Sequence, residues 1–158
     1  MKKAKRIALV AHDNRKKDLI ELVEWNWELL IKHKLVCTGT TGNLIEKALQ
    51  KKIKENNQVE ELNIHKLKSG PLGGDQQLGA MICEGDIDIL IFLWDAMEPQ
   101  PHDVDVKALL RITTLYNVVS ACNRATADFI IASSLFDTNY KVKNTDFSSY
   151  LNRRIAKR

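Results

Sequence analysis

A nearly uninterrupted apolar run, IDILIFLW at residues 87–94, constrains the fold of this chain more than any other stretch. Strands with apolar residues at consecutive positions are typical of parallel sheets, because helices cover both faces of such sheets. The run ends at Asp95, which begins a polar, proline-containing segment. We therefore predict a central parallel strand here, with a loop following its carboxyl end.

Strands and helices alternate along the rest of the sequence. From their apolar spacing we predict strands at 6–11, 35–38, 62–67 and 117–122 and helices at 14–34, 44–53, 76–84, 104–116 and 126–133. We also expect a tight turn at 39–42, a helix cap at Asp103, an edge strand at 140–142 and a terminal helix at 148–158. Right-handed crossovers place the helices on both sides of such a sheet. The predicted fold class is α/β, a three-layer αβα arrangement with an open, mainly parallel sheet.

The size and charge of the chain limit its organisation and its partners. Its 158 residues, 44% of them hydrophobic, suffice for one domain with a sizeable core, so we expect a single domain over residues 1–158. The net charge of +4 lies mainly in short lysine and arginine runs. No aromatic residues are interleaved with these runs, which favours a solvated face over a nucleic-acid surface. A mildly basic protein also suits a small anionic substrate.

The start of the chain and its cysteines bear on location. The first apolar run, IALVA, is short and is followed at once by His12 and Asp13, so we expect no signal peptide and no membrane span. The 3 cysteines lie far apart, and none has the spacing of a CxxC motif. This pattern favours a reducing cytoplasm and argues against a zinc site.

Polar, acidic or glycine-rich segments follow the predicted strands. In open parallel sheets, ligands bind beyond the carboxyl ends of the strands, so these segments are expected to converge on one rim. The segments are residues 12–13, 38–43, 69–75, 95 and 123–126.

The turn TGTTGN at residues 38–43 is a candidate phosphate site. It lacks the Lys-Ser/Thr pair of a P-loop, and neither glycine-rich turn of the chain fits GxGxxG. At a helix N-terminus it offers a phosphate the hydroxyls of Thr38, Thr40 and Thr41 and the amides of Gly39 and Gly42. A hydroxyl-rich helix cap is an equally good interpretation of this turn alone. Ser69 and Gly70 offer a second hydroxyl and amide, and Lys16 offers a positive charge.

Several carboxylates share the rim with these donors: Asp13, Asp75, Asp95 and Asp105. A carboxylate repels a phosphate, so we expect this group to face another part of the substrate, where a carboxylate can take up a proton. Asp75 follows the glycine-rich turn SGPLGG, where partial loss of solvent is expected to raise its pKa. The alternative is that Asp75 only caps its helix.

His102 lies where a proline-rich loop meets a helix. A neutral imidazole can pass a proton between two oxygens, and Asp105 is close enough in sequence to orient it or to supply a second carboxyl group. No nucleophile pattern and no metal-ligand spacing is evident. The residues therefore indicate a metal-free acid–base site for a small phosphorylated molecule.

Six segments of the chain resemble, in the same order, the methylglyoxal synthase family: IALVAHD, TGTTGNLI, SGPLGGDQQLGAMI, DILIFLWD, PHDVDVKALLR and ATADFII. The resemblance covers nearly the whole chain. It implies conversion of dihydroxyacetone phosphate to methylglyoxal and inorganic phosphate without a metal or organic cofactor. It further implies a homohexamer, with phosphate as product and inhibitor. From charge and hydropathy we expect no nucleic-acid or membrane partner.

The resemblance also implies roles for individual residues. Asp75 would be the base that removes a proton from C3, His102 would move a proton between the enediol oxygens, and Asp105 would be a further catalytic carboxylate. The family's phosphate and substrate binders correspond to His12, Lys16, Thr38, Thr40, Thr41, Ser69, Gly70 and Arg154. Asp13 and Asp95 correspond to supporting polar positions. Arg154 would reach the site of a neighbouring subunit, although the adjacent Arg153 leaves the register open.

The chain departs from the family pattern in one segment, and two other functions are alternatives to the enzyme. Residues 51–66 form a longer link than usual, which could change oligomer contacts or regulation. A regulatory module resembling the allosteric domain of carbamoyl phosphate synthetase predicts the phosphate-binding threonines without the acid–base residues. An RNA-binding protein predicts salt-sensitive binding without turnover. The presence of Asp75, His102 and Asp105 together favours the enzyme.

Overall fold

A five-stranded parallel sheet forms the centre of the structure, a computed structural model that describes residues 1–143 and 145–153. Its strands are β1 (Arg6–Ala11), β2 (Lys34–Thr38), β3 (Ile64–Leu67), β4 (Ile89–Leu93) and β5 (Val119–Ala121). They lie in the order β3-β2-β1-β4-β5, and each neighbouring pair is parallel. The apolar run forms β4, which pairs with β1 from Ile7↔Ile89 to Ala11↔Leu93. The predicted central strand is confirmed.

Helices cover both faces of this sheet. In the described residues they are α1 (Lys16–Trp25), α2 (Trp27–Leu30), α3 (Gly39–Glu55), α4 (Gly74–Cys83), α5 (Asp103–Leu115), α6 (Arg124–Ala132) and α7 (Ser148–Leu151). Short 3-10 turns at Asp13–Arg15 and Gly70–Leu72 precede α1 and α4. None of the helices in the described ranges has both the length and the apolar character needed to span a bilayer.

Alternate side chains of each central strand pack on opposite faces, as the pleat requires. In β1, Ile7 and Leu9 belong to a buried cluster with residues of α1, α3 and α6, whereas Ala8 and Val10 belong to a cluster with residues of α4 and α5. Both clusters contain residues of β1, β2 and β4, which explains why β4 is apolar at every position. The three-layer αβα arrangement is confirmed.

The direction of winding reverses between β1 and β4. The chain proceeds from β1 to β2 and β3 through α1 and α3 on one face, and then crosses to β4 and β5 through α4 and α5 on the other. The loops that follow β1 and β4 therefore diverge and leave a crevice at the carboxyl edge of the sheet. Open α/β sheets bind their ligands at this kind of reversal.

Two predictions in the first half of the chain were wrong. The helix expected over 14–34 is divided at Asn26, whose side-chain amide donates to the Leu22 carbonyl at 2.8 Å and closes α1. The tight turn expected at 39–42 is instead the first turn of α3. Thr41 and Gly42 are buried on the same helix as Ile45, so the apolar stripe of α3 reaches its first turn.

Other predictions failed near helix ends and in the last quarter of the chain. Asp103 is the first residue of α5 and not its cap, because His102 occupies the N-cap position without a capping side-chain bond. Residues 140–142 form no strand, and Tyr140 and Lys141 are exposed there. Of the helix expected at 148–158, the described part contains α7, and residues 154–158 lie outside the described residues.

Candidate active site

A cavity of about 260 Å³ lies at the carboxyl edge of the sheet, in the crevice between β1 and β4. The loops after β1 and β4, the start of α3 and the turn before α4 form its walls. Ten of the predicted site residues line it: His12, Asp13, Lys16, Thr38, Thr40, Thr41, Ser69, Gly70, Asp75 and His102. The sheet thus brings together predicted residues from four separate segments of the sequence.

Three predicted parts of the site lie outside this cavity: Asp95, Asp105 and residues 123–126. Asp95 is buried near the start of the loop that follows β4, and Asp105 lies in the first turn of α5; neither lines the cavity. Residues 123–126 follow β5 and do not line the cavity, and the Asn123 side chain caps α6 by accepting the Thr126 N–H at 2.9 Å. Arg154 lies outside the described residues. A larger cavity, of about 880 Å³, is at the opposite end of the strands and contains none of the predicted site residues.

One wall of the cavity is rich in hydrogen-bond donors. The Lys16 ammonium group donates to Thr40 Oγ1 at 2.6 Å and to Asp13 Oδ1 at 2.5 Å. The hydrogen bond from Lys16 holds the pKa of Asp13 below its usual value. Thr38 and Thr41 present largely buried hydroxyls at the N-terminus of α3. Amides in a first helical turn lack partners within the helix and attract anions. The wall suits a phosphate group.

One of the two glycine amides expected to be free is engaged. The Gly39 N–H donates to the Lys68 carbonyl at 3.2 Å and so joins the start of α3 to the chain just before the glycine-rich turn. The amides that follow Gly39 in the first turn remain the better candidates for an anion.

The glycine-rich turn brings Asp75 into the opposite wall. The Ser69 carbonyl accepts the N–H groups of Leu72 and Gly74 at 3.0 and 2.9 Å, which folds the chain back sharply before α4. Gly73 closes the turn with a φ of 97°, a left-handed conformation that favours glycine. Asp75 is consequently the second residue of α4 and is only 3% exposed.

Asp75 and His102 face each other across the floor of the site. Asp75 Oδ2 lies 3.6 Å from His102 Nε2, and in the described residues neither Oδ2 nor His102 Nδ1 has a hydrogen-bond partner. Burial raises the pKa of Asp75; the negative charge of Asp105 raises it further, while His102 and His12 oppose the shift. No side chain caps α4, so the interpretation of Asp75 as a mere helix cap is wrong.

His12 is a second buried imidazole at the site. Its Nδ1 accepts the Asp95 backbone N–H at 3.3 Å, so in the neutral ring the proton is on Nε2. Burial lowers the pKa of His12, and the nearby His102 lowers it further, which favours the neutral form. Nε2 is buried and has no partner within residues 1–143 and 145–153. His12 is therefore suited to donate a hydrogen bond to a substrate oxygen.

Sequence reasoning missed three contributors to this region. Gln100 and Phe92 line the cavity, and Asn14 joins the loop after β1 to the loop after β4. Gln100 could have been found, because it is a polar residue between two prolines on the predicted rim. The role of Asn14 depends on a contact with residues more than 80 positions away, which no local pattern shows.

No cysteine is among the described residues that line the cavity. In the described ranges no group of three His, Cys, Asp or Glu side chains is placed to hold a metal ion. Cys37 is buried in the sheet, and burial raises its pKa to about 12, so its thiol stays protonated near neutral pH. The groups available for chemistry are carboxylates, imidazoles, hydroxyls, amides and one ammonium.

Comparison with known proteins gives consistent matches. Residues 18–122 match the family described as the MGS-like domain. A methylglyoxal synthase from Maridesulfovibrio salexigens is 55% identical over 157 residues, covering 98% of this chain and 100% of that protein. One from Leptospira interrogans is 56% identical over 137 residues, covering 87% and 85%. The crystal structure of methylglyoxal synthase from Elizabethkingia anophelis NUHP1 superimposes with a TM-score of 0.86 at 46% identity, covering 100% of this chain and 97% of that one.

Proposed function

This chain belongs to the methylglyoxal synthase family, and from that premise we propose how its residues divide the work of the reaction. The chain is a carbon–oxygen lyase acting on a phosphate ester: it converts dihydroxyacetone phosphate to methylglyoxal and inorganic phosphate. The observation that carries the assignment of roles is the buried Asp75–His102 pair, which lies in the same small cavity as the Lys16 and threonine donors.

Asp75 is the base in this proposal. Its carboxylate takes a proton from C3 of the substrate, and the electrons of that C–H bond form the C2–C3 double bond of an enediolate, with the negative charge on O2. The raised pKa supports this role, because a base whose pKa lies closer to the working pH takes the proton with more driving force. Asp105 does not line the cavity, so we assign it a positioning role: its charge raises the pKa of Asp75.

His102 moves the next proton. Its imidazole takes the proton from the C3 hydroxyl and delivers it to O2, so C3 becomes a carbonyl carbon and the electron pair moves toward C1. The C1–O bond then breaks, phosphate leaves with the bonding electrons, and the resulting enol rearranges to methylglyoxal. The Nε2–H of His12 stabilises the charge on O2 by donating a hydrogen bond. The short distance between His102 and Asp75 supports these adjacent transfers.

We assign to the donor-rich wall the binding of the phosphate group and the stabilisation of its charge as it leaves. Lys16, Thr38, Thr40, Thr41, Ser69 and Gly70 would hold the phosphate, together with the first-turn amides of α3. Their hydrogen bonds strengthen as negative charge builds up on the leaving oxygen, which favours bond breaking. The product phosphate carries the same groups as the substrate's phosphate end, so we also propose that it inhibits the enzyme by competing for this wall.

Assembly and location are further parts of the proposal. We propose a homohexamer in which Arg154 reaches a neighbouring site, with residues 1–158 acting as a single domain. Large apolar side chains exposed on the isolated chain support association of subunits, among them Trp25 at 85%, Met97 at 88% and Phe129 at 82% exposure. Three free cysteines support a reducing cytoplasm.

The test is to incubate the purified protein with dihydroxyacetone phosphate and to follow methylglyoxal and phosphate together. Asp75→Asn keeps the size of the side chain but removes the base, so kcat should fall by about 10²- to 10⁴-fold. Binding of a phosphorylated substrate analogue should persist. Asp128→Asn, in an exposed position on α6, is the matched control and should leave kcat unchanged.

The two possible failures are distinct. A folded wild-type protein that releases neither product would overturn the synthase function. Release of both products by the wild type, with near-normal kcat in Asp75→Asn, would leave the function standing and remove Asp75 from the role of base.

A further inference from the structure

The loop between β4 and α5 carries His102 to its place in the site. It runs from Trp94 to Pro101, and residues 96–99 and 101 are exposed. His102 follows as the N-cap of α5, and the Asp105 and Val106 amides both donate to its carbonyl. The helix fixes the backbone on the C-terminal side of His102. On the N-terminal side, the position of the imidazole ring depends on this loop.

Asn14 ties that loop to the other side of the crevice. Its side-chain Nδ2 donates to Asp95 Oδ2 at 2.9 Å and to Glu98 Oε2 at 2.6 Å. Asn14 itself lies in the 3-10 turn after β1, between Asp13 and Lys16 of the donor-rich wall. The side-chain amide of Asn14 therefore joins the two loops that diverge at the reversal of winding.

Few other bonds restrain the loop. At its start, the Asp95 N–H donates to His12, and Asp95 Oδ1 accepts the Met97 N–H at 3.1 Å from within the loop. Beyond these, the bond from Asn14 to Glu98 is the one hydrogen bond in the described residues that links residues 96–99 to another segment. The central part of the loop thus depends on Asn14.

We propose that Asn14 is a positioning residue for the reaction, whose side-chain amide clamps the loop after β4 to the loop after β1 and so holds His102 at its distance from Asp75. This inference rests on the proposed function. Asn14 does not line the cavity and touches no reacting atom in this scheme. It acts at one end through Asp95, whose backbone orients His12, and at the other through Glu98.

The chemistry of the two partners fits a clamp that depends on an uncharged donor. Asp95 and Glu98 are both carboxylates, and the bond from Asn14 is the main cause that lowers the pKa of Asp95. An NH₂ group has two N–H donors and can satisfy both at once. A carboxylate at position 14 would repel both partners and push the loops apart.

Asn14→Ala and Asn14→Asp test the clamp, with turnover of dihydroxyacetone phosphate as the readout. Loss of precise placement lowers the rate of proton transfer more than it weakens substrate binding, so we expect kcat to fall by about 10-fold in Asn14→Ala. We expect an equal or larger fall in Asn14→Asp, which keeps the size of the side chain. KM should stay within about threefold of the wild-type value in both, because the phosphate wall is unchanged.

Glu98→Ala removes one half of the clamp at an exposed residue and should lower kcat by about threefold. In the double variant Asn14→Ala/Glu98→Ala, kcat should be no lower than in Asn14→Ala alone, because one interaction is removed twice. Asn56→Ala is the matched control: its side chain also donates one exposed hydrogen bond, to the Lys52 carbonyl, far from the site. Its kcat should equal that of the wild type.

The outcomes separate the two proposals. An inactive wild type contradicts the proposed function. With an active wild type, the clamp is refuted if Asn14→Ala keeps kcat within twofold, if Asn14→Asp behaves as the wild type, if the loss falls on KM alone, or if the two single losses multiply in the double variant. If an Asn14 variant does not fold, Glu98→Ala decides alone, and an unchanged kcat there refutes the clamp.

Discussion

Gly70→Ala adds a single methyl group where the glycine-rich turn approaches His102 and Asp75. A Cβ at this position would lie 2.7 Å from His102 Nε2 and 3.1 Å from Asp75 Oδ2. The backbone of Gly70 does not adopt a positive φ, so alanine introduces no backbone strain there. The effect of this substitution is therefore the contact itself.

The size of the effect follows from these distances. Ordinary contact of a Cβ begins at 3.4 Å, so His102 Nε2 must move by 3.4 − 2.7 = 0.7 Å and Asp75 Oδ2 by 3.4 − 3.1 = 0.3 Å. Because misplacement of reacting groups by about 1 Å lowers a rate by about 10²-fold, we expect kcat to fall by roughly 30- to 100-fold. Overpacking should also destabilise the fold by about 1–3 kcal/mol.

The assay combines steady-state turnover of dihydroxyacetone phosphate with thermal unfolding. For a chain of this size, each kcal/mol lowers Tm by roughly 2–4 °C. Gly79→Ala is the matched control, because Gly79 lies in α4 and a Cβ there meets nothing within 4 Å. It should keep the wild-type kcat and raise stability by up to about 1 kcal/mol, since alanine favours a helix over glycine.

A Gly70→Ala variant that keeps kcat within about twofold of the wild type, with an unchanged Tm, would contradict this prediction. That result would mean that His102 and Asp75 can move apart without loss of function, and that their observed spacing does not set the rate. An equal loss of kcat in Gly79→Ala would show that the assay reports general perturbation of α4.

Two further predictions concern charge. The raised pKa of Asp75 means that its protonated form stabilises the fold below the unfolded value of 3.8, and this stability is lost as pH rises through the folded pKa. Asp75→Asn should therefore have a higher Tm than the wild type near pH 8 and an equal Tm near pH 3; equal values at both would contradict the buried carboxylate. Lys16→Met should raise KM by about 10- to 100-fold through loss of a charge-assisted hydrogen bond to phosphate, whereas Lys17→Met, outside the cavity, should not; equal KM values in the two variants would exclude Lys16 as a phosphate ligand.

The sequence predicted the layers of the fold better than the ends of its elements. Residues 89–93 are all apolar because both helical layers cover β4, and this environment leaves a direct record in composition. The break at Asn26 and the early start of α3 at Gly39 escaped prediction, because each depends on a capping bond or on burial supplied by the folded chain.

The candidate site was predictable mainly near strand ends and helix starts at the carboxyl edge of the sheet, although Asp95 directly follows the predicted strand 87–94 and does not line the cavity. His12, Thr38 and His102 line the cavity because strand ends and helix starts meet at one edge of a parallel sheet. Asp105 is one helical turn too far along α5 to reach the cavity, a difference in direction that spacing alone does not give. Asn14 is a contributor through distant partners, and only the folded chain brings them together.

The reversal of winding between β1 and β4 bears on how the products separate. Lys16 and the threonine donors belong to the layer of α1 and α3, whereas Asp75 and His102 begin α4 and α5 on the other side, with Ser69 and Gly70 in the turn between. In the proposed reaction the substrate bridges the two layers. Binding of its phosphate end at one layer raises the effective concentration of its carbonyl end at the other layer, and the reverse also holds. Cleavage of the C1–O bond breaks this bridge, so each fragment retains one attachment, and the uncharged methylglyoxal retains the weaker of the two.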